Sequence, residues 1–498
     1  MTRAPPAVIV TIPARSASEA ASQVGAAARA GADGAEIRFD RWPAAERLRS
    51  GALFPSALPL LATLRSRTEG GEGPDPPDER AAELLRLSEQ PFRWIDLELE
   101  RDLPVLPRLP AAETLGRIVS CHLPPGRFAE WGDRRQSLAA SGGVGKLVVP
   151  APIGVVLREM IPALAARADE GVTVLTTGPS GPLLRVLARR LGFPIVFASL
   201  PAAAGLSAVE PSQLPVDRLR PFLDADGEPP LFGVGGRPIA HSQSPAVHSA
   251  WMRAEGRLGA YLPLEFRDED EFVEAIPLLA DLGFRGLNVT LPYKVAAFEA
   301  ATDAGPGAEA CRAANCLTFR EREILAENTD LAAILRRLEE LRGAGAWDGI
   351  EVAVIGTGGA ARATLAATRI LGLEATLYSR GRDAGRALAQ EFGARALDPS
   401  EAEPTSLVVH ATAAGRDGAG RLDGSLHGAL TAGRYLLDWA YRPIDSGVEE
   451  AARSAGIEYE DGWRLFVYQA AASYSLWWGE EPAAALVERT ISEGECAA

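Results

Sequence analysis

The chain has 498 residues, a formal net charge of −15 and 47% hydrophobic residues. This length exceeds one ordinary core and predicts two or three domains. The acidic balance argues against a nucleic acid or an anionic membrane as the main partner, because both attract basic surfaces.

The first 200 residues contain short apolar runs separated by segments rich in Ala, Leu and Arg. There are eight runs, at 7–12, 34–39, 58–64, 94–99, 117–121, 144–149, 171–177 and 194–199. Eight strands that alternate with helices predict an α/β fold of the (β/α)8 TIM barrel type. We assign the barrel to residues 1–225, and the Pro- and Asp-rich stretch at 211–230 is typical of a linker.

A second α/β pattern begins at Leu231 and includes a helix-like segment at 268–281. A later strand at 351–355 leads into the glycine-rich turn 356–361 and then a helix-compatible run. Strand, glycine turn and helix follow in the order of a dinucleotide-binding unit. We expect a substrate-binding domain at 231–335 and a Rossmann domain at 336–498, with C-terminal helices that return to the substrate-binding domain.

The cysteines Cys121, Cys311, Cys316 and Cys496 are irregularly spaced, which favours a reducing compartment over a disulfide framework. No Cys or His pair completes a metal site beside them, so we expect structural thiols and no metal. We find no signal peptide, transit segment or membrane-spanning run, and the expected location is cytoplasmic.

Lysine is rare in this chain. Among the 51 basic residues, only Lys146 and Lys294 are lysines. An ε-amine, unlike a guanidinium, can lose its proton, attack a carbonyl or pass a proton on. Drift in an arginine-rich composition also explains such scarcity, so the surroundings of each lysine must decide.

Lys146 lies in the sixth apolar run of the predicted barrel. Polar residues in or at the ends of neighbouring runs are Glu36, Arg38, Arg65 and His122. Barrel active sites form where strands end, and because a barrel interior is otherwise apolar, this convergence indicates a ligand. Apolar neighbours and nearby cations favour the neutral amine of Lys146 that forms a Schiff base, and His122 is placed to move a proton beside it.

The N-terminal half resembles type I 3-dehydroquinate dehydratases on segments in family order: EIRFD (36–40), LATLRSRTEGG (61–71), WIDLELE (94–100), VSCH (119–122) and GK (145–146). The resemblance implies that Lys146 forms an imine with the substrate ketone. It implies that His122 takes a C2 proton and helps expel the C1 hydroxyl as water, with Glu69 orienting or charge-balancing His122. It also implies substrate contacts by Glu36, Arg38, Arg65, Arg185 and Gln213, with Arg185 binding the carboxylate.

One departure from that family lies in the loop that closes the site. The family pattern Ser-Ala-Pro-Gly-Gln corresponds here to residues 209–213, where Val209 replaces the serine and Gln213 matches. We therefore assign no serine role in this loop.

The region 231–485 resembles shikimate dehydrogenases on SQSP (242–245), NVTLPYK (288–294), an asparagine before a short strand, NTD (328–330), the glycine turn and DGWRLFVYQAA (461–471). The resemblance implies that Lys294 and Asp330 form the catalytic pair at the hydroxyl or ketone. It further implies substrate contacts by Ser242, Ser244, Thr290, Asn315 and Gln469. Without the resemblance, the lysine and aspartate would most simply form an ion pair.

The glycine turn predicts a nicotinamide cofactor. Gly356 permits the tight turn, Gly358 lets the backbone approach a pyrophosphate, and Ala361 allows close helix packing. The next strand ends in Ser379-Arg380, with Arg382 beyond, and no acid for a ribose hydroxyl, so NADP is favoured over NAD. The predicted cofactor contacts are Gly356, Gly358, Gly359, Ala360, Ala361, Ser379, Arg380 and Thr412.

Two departures lie near the predicted nicotinamide pocket. The family pattern Asn-Ala-Thr is His410-Ala411-Thr412 here, and the usual methionine is Arg416. A histidine at a strand end, such as His410, is more often structural than a catalytic base.

The two halves together predict a bifunctional shikimate-pathway enzyme of aromatic amino acid biosynthesis, with 3-dehydroquinate, 3-dehydroshikimate and shikimate as small-molecule partners. We expect a monomer or homodimer. Three alternatives stay open: an NAD-preferring or quinate dehydrogenase in the second half, a non-catalytic ligand-binding module in one half, and a class I aldolase in the barrel.

Overall fold

A computed structural model describes residues 3–47, 56–201, 208–321, 323–345, 347, 349–415, 420–443 and 445–494. The chain divides into two compact units that meet in sequence at Pro229 and Pro230. The finer division of the second unit at 335/336 stays a prediction.

Within the described residues, the first unit contains eight parallel strands. They are β1 (Ala7–Ile12), β2 (Gly34–Arg38), β3 (Leu60–Thr63), β4 (Trp94–Glu98), β5 (Gly116–His122), β6 (Val144–Val149), β7 (Val172–Thr176) and β8 (Ile195–Ala198). Each coincides with one predicted apolar run, because parallel strands covered on both faces are nearly continuously apolar.

The strands form one sheet in the order β7-β6-β5-β4-β3-β2-β1-β8. At the seam between β7 and β8, Thr173 Oγ1 donates a hydrogen bond to the carbonyl oxygen of Ile195 at 2.7 Å. The predicted TIM barrel is confirmed.

The helices of the first unit follow the strands. They are α1 (Ala17–Arg29), α2 (Ala44–Arg47), α3 (Pro77–Ser88), α4 (Trp131–Ala139), α5 (Ile153–Val155), α6 (Ile161–Ala165), α7 (Pro182–Val186) and α8 (Val216–Asp224). A π-helical segment, Val156–Met160, connects α5 to α6. Ser16 caps α1 by accepting a hydrogen bond from the backbone amide of Glu19.

The interpretation of 211–230 as a linker is wrong for residues 216–224, which form α8. Val216, Leu219 and Leu223 are buried along one face of this helix. Their spacing is that of an apolar helical stripe, which the proline and aspartate content of the segment obscured.

The second unit begins with a mixed sheet. Its strands are β9 (Leu231–Gly236), β10 (Ala260–Glu265), β11 (Phe284–Val289), β12 (Asp303–Ala304), β13 (Cys316–Arg320) and β14 (Glu323–Glu327), in the order β10-β9-β11-β13-β14-β12. The accompanying helices are α9 (Ser244–Ala254), α10 (Glu269–Asp281), α11 (Lys294–Glu299), α12 (Pro306–Cys311) and α13 (Thr329–Gly343). The helix predicted at 268–281 is confirmed as α10.

A parallel sheet follows, of β15 (Glu351–Ile355), β16 (Glu374–Tyr378), β17 (Arg395–Leu397), β18 (Leu407–His410), β19 (Tyr435–Asp438) and β20 (Glu458–Glu460). Its order is β17-β16-β15-β18-β19-β20, with helices α14 (Gly359–Ile370), α15 (Arg382–Phe392), α16 (His427–Leu430) and α17 (Val448–Ser454). From β15 the chain first adds β16 and β17 on one side and then β18, β19 and β20 on the other, so the order in which strands are added reverses between β15 and β18. In open α/β sheets, ligands bind at this switch point, outside the carboxyl ends of the strands.

The C-terminal helices α18 (Trp463–Trp478) and α19 (Ala484–Glu493) pack against the mixed sheet. Trp477 Nε1 donates to the carbonyl oxygen of Leu317 in β13 at 3.1 Å. No helix in the described part of the chain has the length and apolarity needed to cross a membrane.

Candidate active sites

Lys146 lies inside the barrel on β6, with 6% of its surface exposed. Its Nζ is 3.7 Å from the ring centroid of Phe197 on β8 and 3.5 Å from Glu36 Oε1 on β2. Burial lowers the pKa of Lys146, and the positive charge of Arg65 acts in the same direction. The surroundings therefore increase the share of neutral amine.

Glu36 is the carboxylate nearest the amine. Its oxygens accept hydrogen bonds from Thr11 Oγ1 at 2.8 Å and Thr63 Oγ1 at 2.9 Å. Burial is the largest single effect and acts to raise the pKa of Glu36, but the charges of Lys146 and Arg38 and the two hydroxyls together lower the pKa to about 2. Glu36 is thus ionised at every working pH.

His122 ends β5 and pairs with Glu69. Its Nδ1 lies 2.9 Å from Glu69 Oε2, and its backbone amide donates to the same oxygen at 3.2 Å. Burial lowers the pKa of His122 well below its usual value and raises the pKa of Glu69 to about 7. When Glu69 is ionised, Nδ1 carries the ring proton, and Nε2 of the neutral ring is left as a base.

Arg65 lies at the centre of a buried charge network. Its guanidinium donates at 2.9 Å to Glu69, at 2.9 Å to Asp96 and at 2.9 Å to Ser120. It also contacts Glu98 at 3.3 Å. Arg65 therefore organises the acidic groups beside His122, in addition to the substrate contact that we predicted for it.

The remaining predicted barrel residues are also buried or half-buried. Arg38 makes a bidentate pair with Asp40, with both contacts at 2.8 Å. Arg185 Nη1 donates to the carbonyl oxygens of Thr176 at 3.0 Å and Gly181 at 2.8 Å. Burial lowers the pKa of Arg185 to about 10, and its Nε has no hydrogen-bond partner among the described residues.

Gln213 ends the segment 209–213, and its side chain reaches the same interior. Its Nε2 donates to Thr11 Oγ1 at 3.0 Å, and Thr11 in turn holds Glu36. Its Oε1 is buried without a hydrogen-bond partner in the described part of the chain. Val209 is half-buried, and residues 202–207 lie outside the described residues.

In the second unit, Lys294 begins α11 and pairs with Asp330 in the first turn of α13. Asn315 Nδ2 donates to the other carboxylate oxygen of Asp330 at 2.9 Å. The Asn315 side-chain oxygen accepts from the Thr329 amide at 2.6 Å. Asn315 therefore fixes the rotamer of Asp330, which holds Lys294.

A cavity of about 300 Å³ opens beside this pair. Its lining includes all of the predicted substrate contacts in this unit, namely Ser242, Ser244, Thr290, Asn315 and Gln469, together with Lys294 and Asp330. Residues separated by more than 200 positions in the sequence are thereby brought to one small site.

The glycine turn connects β15 to α14. Gly356 has φ 124°, and a Cβ there would lie 2.6 Å from the carbonyl oxygen of Ala411. Gly358 is the N-cap of α14, without a side-chain cap, and a Cβ built on it would meet nothing within 4 Å. Open space thus faces a helix N-terminus, whose first amides have no partner within the helix itself, and this arrangement fits a pyrophosphate.

The rest of the turn packs inward. Ala361 is fully buried in the core, and Ala360 lines the cavity beside Lys294. Gly359 lies against the aliphatic stem of Lys294. The turn therefore adjoins both the proposed pyrophosphate position and the lysine.

Two family models match the chain. Residues 8–230 match the type I 3-dehydroquinase model, and residues 234–317 match the shikimate dehydrogenase substrate binding domain.

Curated relatives match the second unit over nearly their whole length. The shikimate dehydrogenase (NADP(+)) of Ruegeria sp. (strain TM1040) is 37% identical over 263 residues, 51% of this chain and 94% of that protein. The protein of the same name from Acidiphilium cryptum (strain JF-5) is 35% identical over 261 residues, 51% of this chain and 93% of that protein. The chain joins a type I 3-dehydroquinase domain to a member of the shikimate dehydrogenase family.

Among solved structures, the dehydroquinate dehydratase and shikimate dehydrogenase from S. pombe AroM is similar, with a TM-score of 0.41 and 22% identity. The similarity covers 99% of this chain and 98% of that one.

In the shikimate dehydrogenase unit, the predicted cofactor residues beyond the turn lie at strand ends. Arg380 follows β16, its side chain is 71% exposed, and Nη1 is 3.7 Å from Asp423. Ser379 Oγ donates to the carbonyl oxygen of Gly381 at 3.0 Å. Thr412 follows β18, next to Gly356. Arg416 lies outside the described residues.

The sequence analysis missed several groups in each of the two candidate sites. In the 3-dehydroquinase domain these are Asp96, Glu98, Ser120 and Phe197. Alternating acids in the apolar strand WIDLELE were the available signal for the first two. In the dehydrogenase unit the cavity is also lined by His241, Gln243, Asn288, Trp439, Tyr441 and Arg442, and Trp439 to Arg442 directly follow the carboxyl end of β19.

Proposed function

We propose that the chain catalyses consecutive shikimate-pathway reactions: dehydration of 3-dehydroquinate to 3-dehydroshikimate, and NADPH-dependent reduction of 3-dehydroshikimate to shikimate. The observation that carries this proposal is the placement of the two lysines. Lys146 lies with Glu36 and a neutral His122 in the 3-dehydroquinase domain, whereas Lys294 is paired with Asp330 in the dehydrogenase cavity. Lys146 therefore has a carboxylate and a base beside it for imine chemistry, and Lys294 has a carboxylate that holds it for proton transfer.

In the first reaction, the neutral amine of Lys146 attacks the substrate ketone, and loss of water gives an imine. His122 Nε2 removes a C2 proton, and the electrons of the C–H bond move toward the iminium nitrogen. The C1 hydroxyl then leaves as water with a proton returned by His122. Hydrolysis of the imine releases 3-dehydroshikimate and frees Lys146.

Substrate orientation in this domain falls to the buried polar groups. Glu36 is a carboxylate that accepts bonds from substrate hydroxyls, and Gln213 Oε1, which has no partner among the described residues, offers a second acceptor. The buried Nε of Arg185 has no hydrogen-bond partner in the part of the chain that the structure describes, which suits a substrate carboxylate. We assign Arg38 and Arg65 to contact the hydroxyls and the ring of the substrate.

In the second reaction, bound NADPH supplies the hydride that reaches the ketone carbon. Asp330 holds the Lys294 ammonium in place, Lys294 donates a proton to the developing alkoxide, and the amine regains a proton from solvent after the product leaves. Ser242, Ser244, Thr290 and Gln469 surround the ring and carboxylate in the cavity. Asn315 keeps Asp330 in its rotamer.

The chain's own residues fit NADP. The open space before α14 accommodates a pyrophosphate, and Arg380 at the end of β16 provides a cation for a 2′-phosphate.

We also keep a cytoplasmic location, supported by the free buried thiols Cys121, Cys311 and Cys316, whereas Cys496 lies outside the described residues. A monomer or homodimer stays a prediction.

The test supplies 3-dehydroquinate and NADPH and follows all three acids by chromatography. We expect the wild type to form shikimate, Lys146→Arg to stop at 3-dehydroquinate, and Lys294→Arg to stop at 3-dehydroshikimate. Each arginine retains the positive charge, so loss of flux reports the amine itself. Near-normal flux through either variant would overturn the role of that lysine.

Borohydride provides an independent test of the imine. Added with 3-dehydroquinate, it should leave a stable adduct on Lys146, found by peptide mass analysis, and no adduct on Lys294. Rates with NADP against NAD, and with shikimate against quinate, test the alternative dehydrogenases. Cleavage of a sugar phosphate without dehydration of 3-dehydroquinate would support the aldolase instead.

A further inference from the structure

His410 is a fully buried histidine at the carboxyl end of β18. Its Nδ1 lies 2.8 Å from Asp438 Oδ1, at the end of β19, and its Nε2 lies 2.6 Å from Thr412 Oγ1. Both ring nitrogens are therefore engaged, and His410 connects a carboxylate to a hydroxyl.

The hydrogen bonds to Asp438 determine where the imidazole proton lies. Among the described residues, Asp438 also accepts from the Ala440 amide at 2.9 Å and from the Tyr459 hydroxyl at 3.3 Å. A carboxyl group that receives these donors is in its acceptor form. Nδ1 of His410 is thus the protonated nitrogen, held in one tautomer by Asp438.

The tautomer in turn orients Thr412. When the ring carries its single proton on Nδ1, Nε2 is an acceptor, and the Thr412 hydroxyl donates its proton to it. Thr412 Oγ1 already accepts from the Ala414 amide at 3.2 Å. The hydroxyl has no second proton, and what it presents to a ligand is a lone pair.

Thr412 lies where the nicotinamide half of a dinucleotide must pass. Its backbone nitrogen is 3.2 Å from the position of a Cβ on Gly356, in the glycine turn. Gly415, three residues later, lines the cavity that contains Lys294. A dinucleotide with its pyrophosphate at the turn and its reactive ring beside Lys294 therefore passes Thr412.

We propose that Asp438 and His410 are positioning residues that fix the Thr412 hydroxyl as a hydrogen-bond acceptor for a donor on the nicotinamide half of NADP. This inference rests on the proposed NADP-dependent reduction. The donors on that half are the carboxamide N–H and the ribose hydroxyls. His410 itself touches neither substrate nor cofactor in this scheme.

The test is a double-mutant cycle on NADP+ binding, measured by calorimetry with the full chain. Thr412→Val alone should weaken binding about 5- to 100-fold, since it leaves a ligand donor unpaired. His410→Phe removes both ring nitrogens and frees the hydroxyl to rotate. In that background, Thr412→Val should weaken binding clearly less than it does in the wild type, because the hydroxyl is no longer held in its acceptor orientation. Thr412→Ser is the matched control and should bind like the wild type.

A role for His410 in folding alone would leave the effect of Thr412→Val the same in both backgrounds, and this result would overturn the proposal. Shikimate binding by each variant shows that the dehydrogenase unit is folded. If His410→Phe does not fold, His410→Leu, which also lacks hydrogen-bonding atoms, takes its place in the cycle. If Thr412→Val binds NADP+ as tightly as Thr412→Ser, the proposal is wrong in every background.

The 3-acetylpyridine analogue of NADP+, which has a methyl group in place of the carboxamide amine, identifies the donor. If the wild type binds it more weakly and Thr412→Val removes the difference, the carboxamide is the donor. If Thr412→Val weakens both ligands equally, the ribose is the donor. A wild type that does not bind NADP+ would instead contradict the proposed function.

Discussion

Gly359 lies in direct contact with Lys294: a Cβ at Gly359 would be 2.6 Å from Lys294 Cδ. The glycine turn therefore leaves room for the lysine as well as for a cofactor. We expect Gly359→Ala to push Lys294 away from Asp330 and lower kcat of the reduction about 10²-fold, the usual cost of a misplacement near 1 Å. Dehydration of 3-dehydroquinate by the same protein should be unchanged.

Gly358→Ala is the matched control. Its methyl group would meet no protein atom within 4 Å and would enter the space before α14. We expect KM for NADPH to rise while kcat changes little. If both alanine variants change KM alone, the contact between Gly359 and Lys294 does not matter for the chemistry.

The pKa of Glu69, raised to about 7 by burial, predicts the pH dependence of the dehydration. Below this pH Glu69 is protonated and no longer a carboxylate for His122 Nδ1–H. Because the pKa of His122 is well below its usual value, the histidine does not titrate in this range. We therefore expect kcat/KM to rise with pH through about 7.

Glu69→Gln should remove this rise, because a neutral amide resembles protonated Glu69 at every pH. The ratio of wild-type to variant kcat/KM should be small at pH 6 and increase above pH 7. A variant that retains the wild-type pH profile would assign the titration to another group.

Glu36→Gln should change the protonation of Lys146. The Glu36 charge acts to raise the pKa of Lys146 against the effect of burial, so its removal lowers that pKa further. We expect borohydride trapping at saturating 3-dehydroquinate to reach half its maximum at a lower pH. Thr63→Val, which removes a hydrogen bond to Glu36 but keeps its charge, should leave the midpoint in place; a common shift in both variants would contradict the electrostatic explanation.

Arg380→Ala should raise KM for NADPH about 10- to 100-fold, the range for losing a charge-assisted contact to a phosphate. KM for NADH, which has no 2′-phosphate, should not change. Arg382→Ala is the control, since Arg382 is more closely paired with Asp398 than Arg380 is with Asp423. Equal effects of Arg380→Ala on both cofactors would show that the side chain acts on binding in general.

Much of this architecture is local in the sequence and could be predicted from it. Parallel barrel strands are covered on both faces, so each produced a visible apolar run. The glycine turn is one contiguous segment, and its order after β15 identifies the unit. The helix α8 was missed because Val216, Leu219 and Leu223 are few among prolines and charged residues.

The contacts between distant segments could not be predicted. Arg65 meets Asp96 and Ser120 because neighbouring strands are in a particular register, which no local pattern encodes. Likewise, the relation between His410 and Asp438 depends on β18 and β19 being adjacent in the sheet. Taken alone, a histidine at a strand end is typical of a structural residue. Only the contact with Asp438 determines which ring nitrogen of His410 carries the proton.

The scarcity of lysine allows the side chains of Lys146 and Lys294 to be observed separately by NMR. Since Lys146 and Lys294 are its only lysines and are both largely buried, isotope-labelled lysine introduces one side-chain probe into each candidate active site. Nitrogen NMR of such a sample would show two ε-amine resonances. Their titrations would report the separate protonation states of the two proposed catalytic lysines in one intact, unmutated protein.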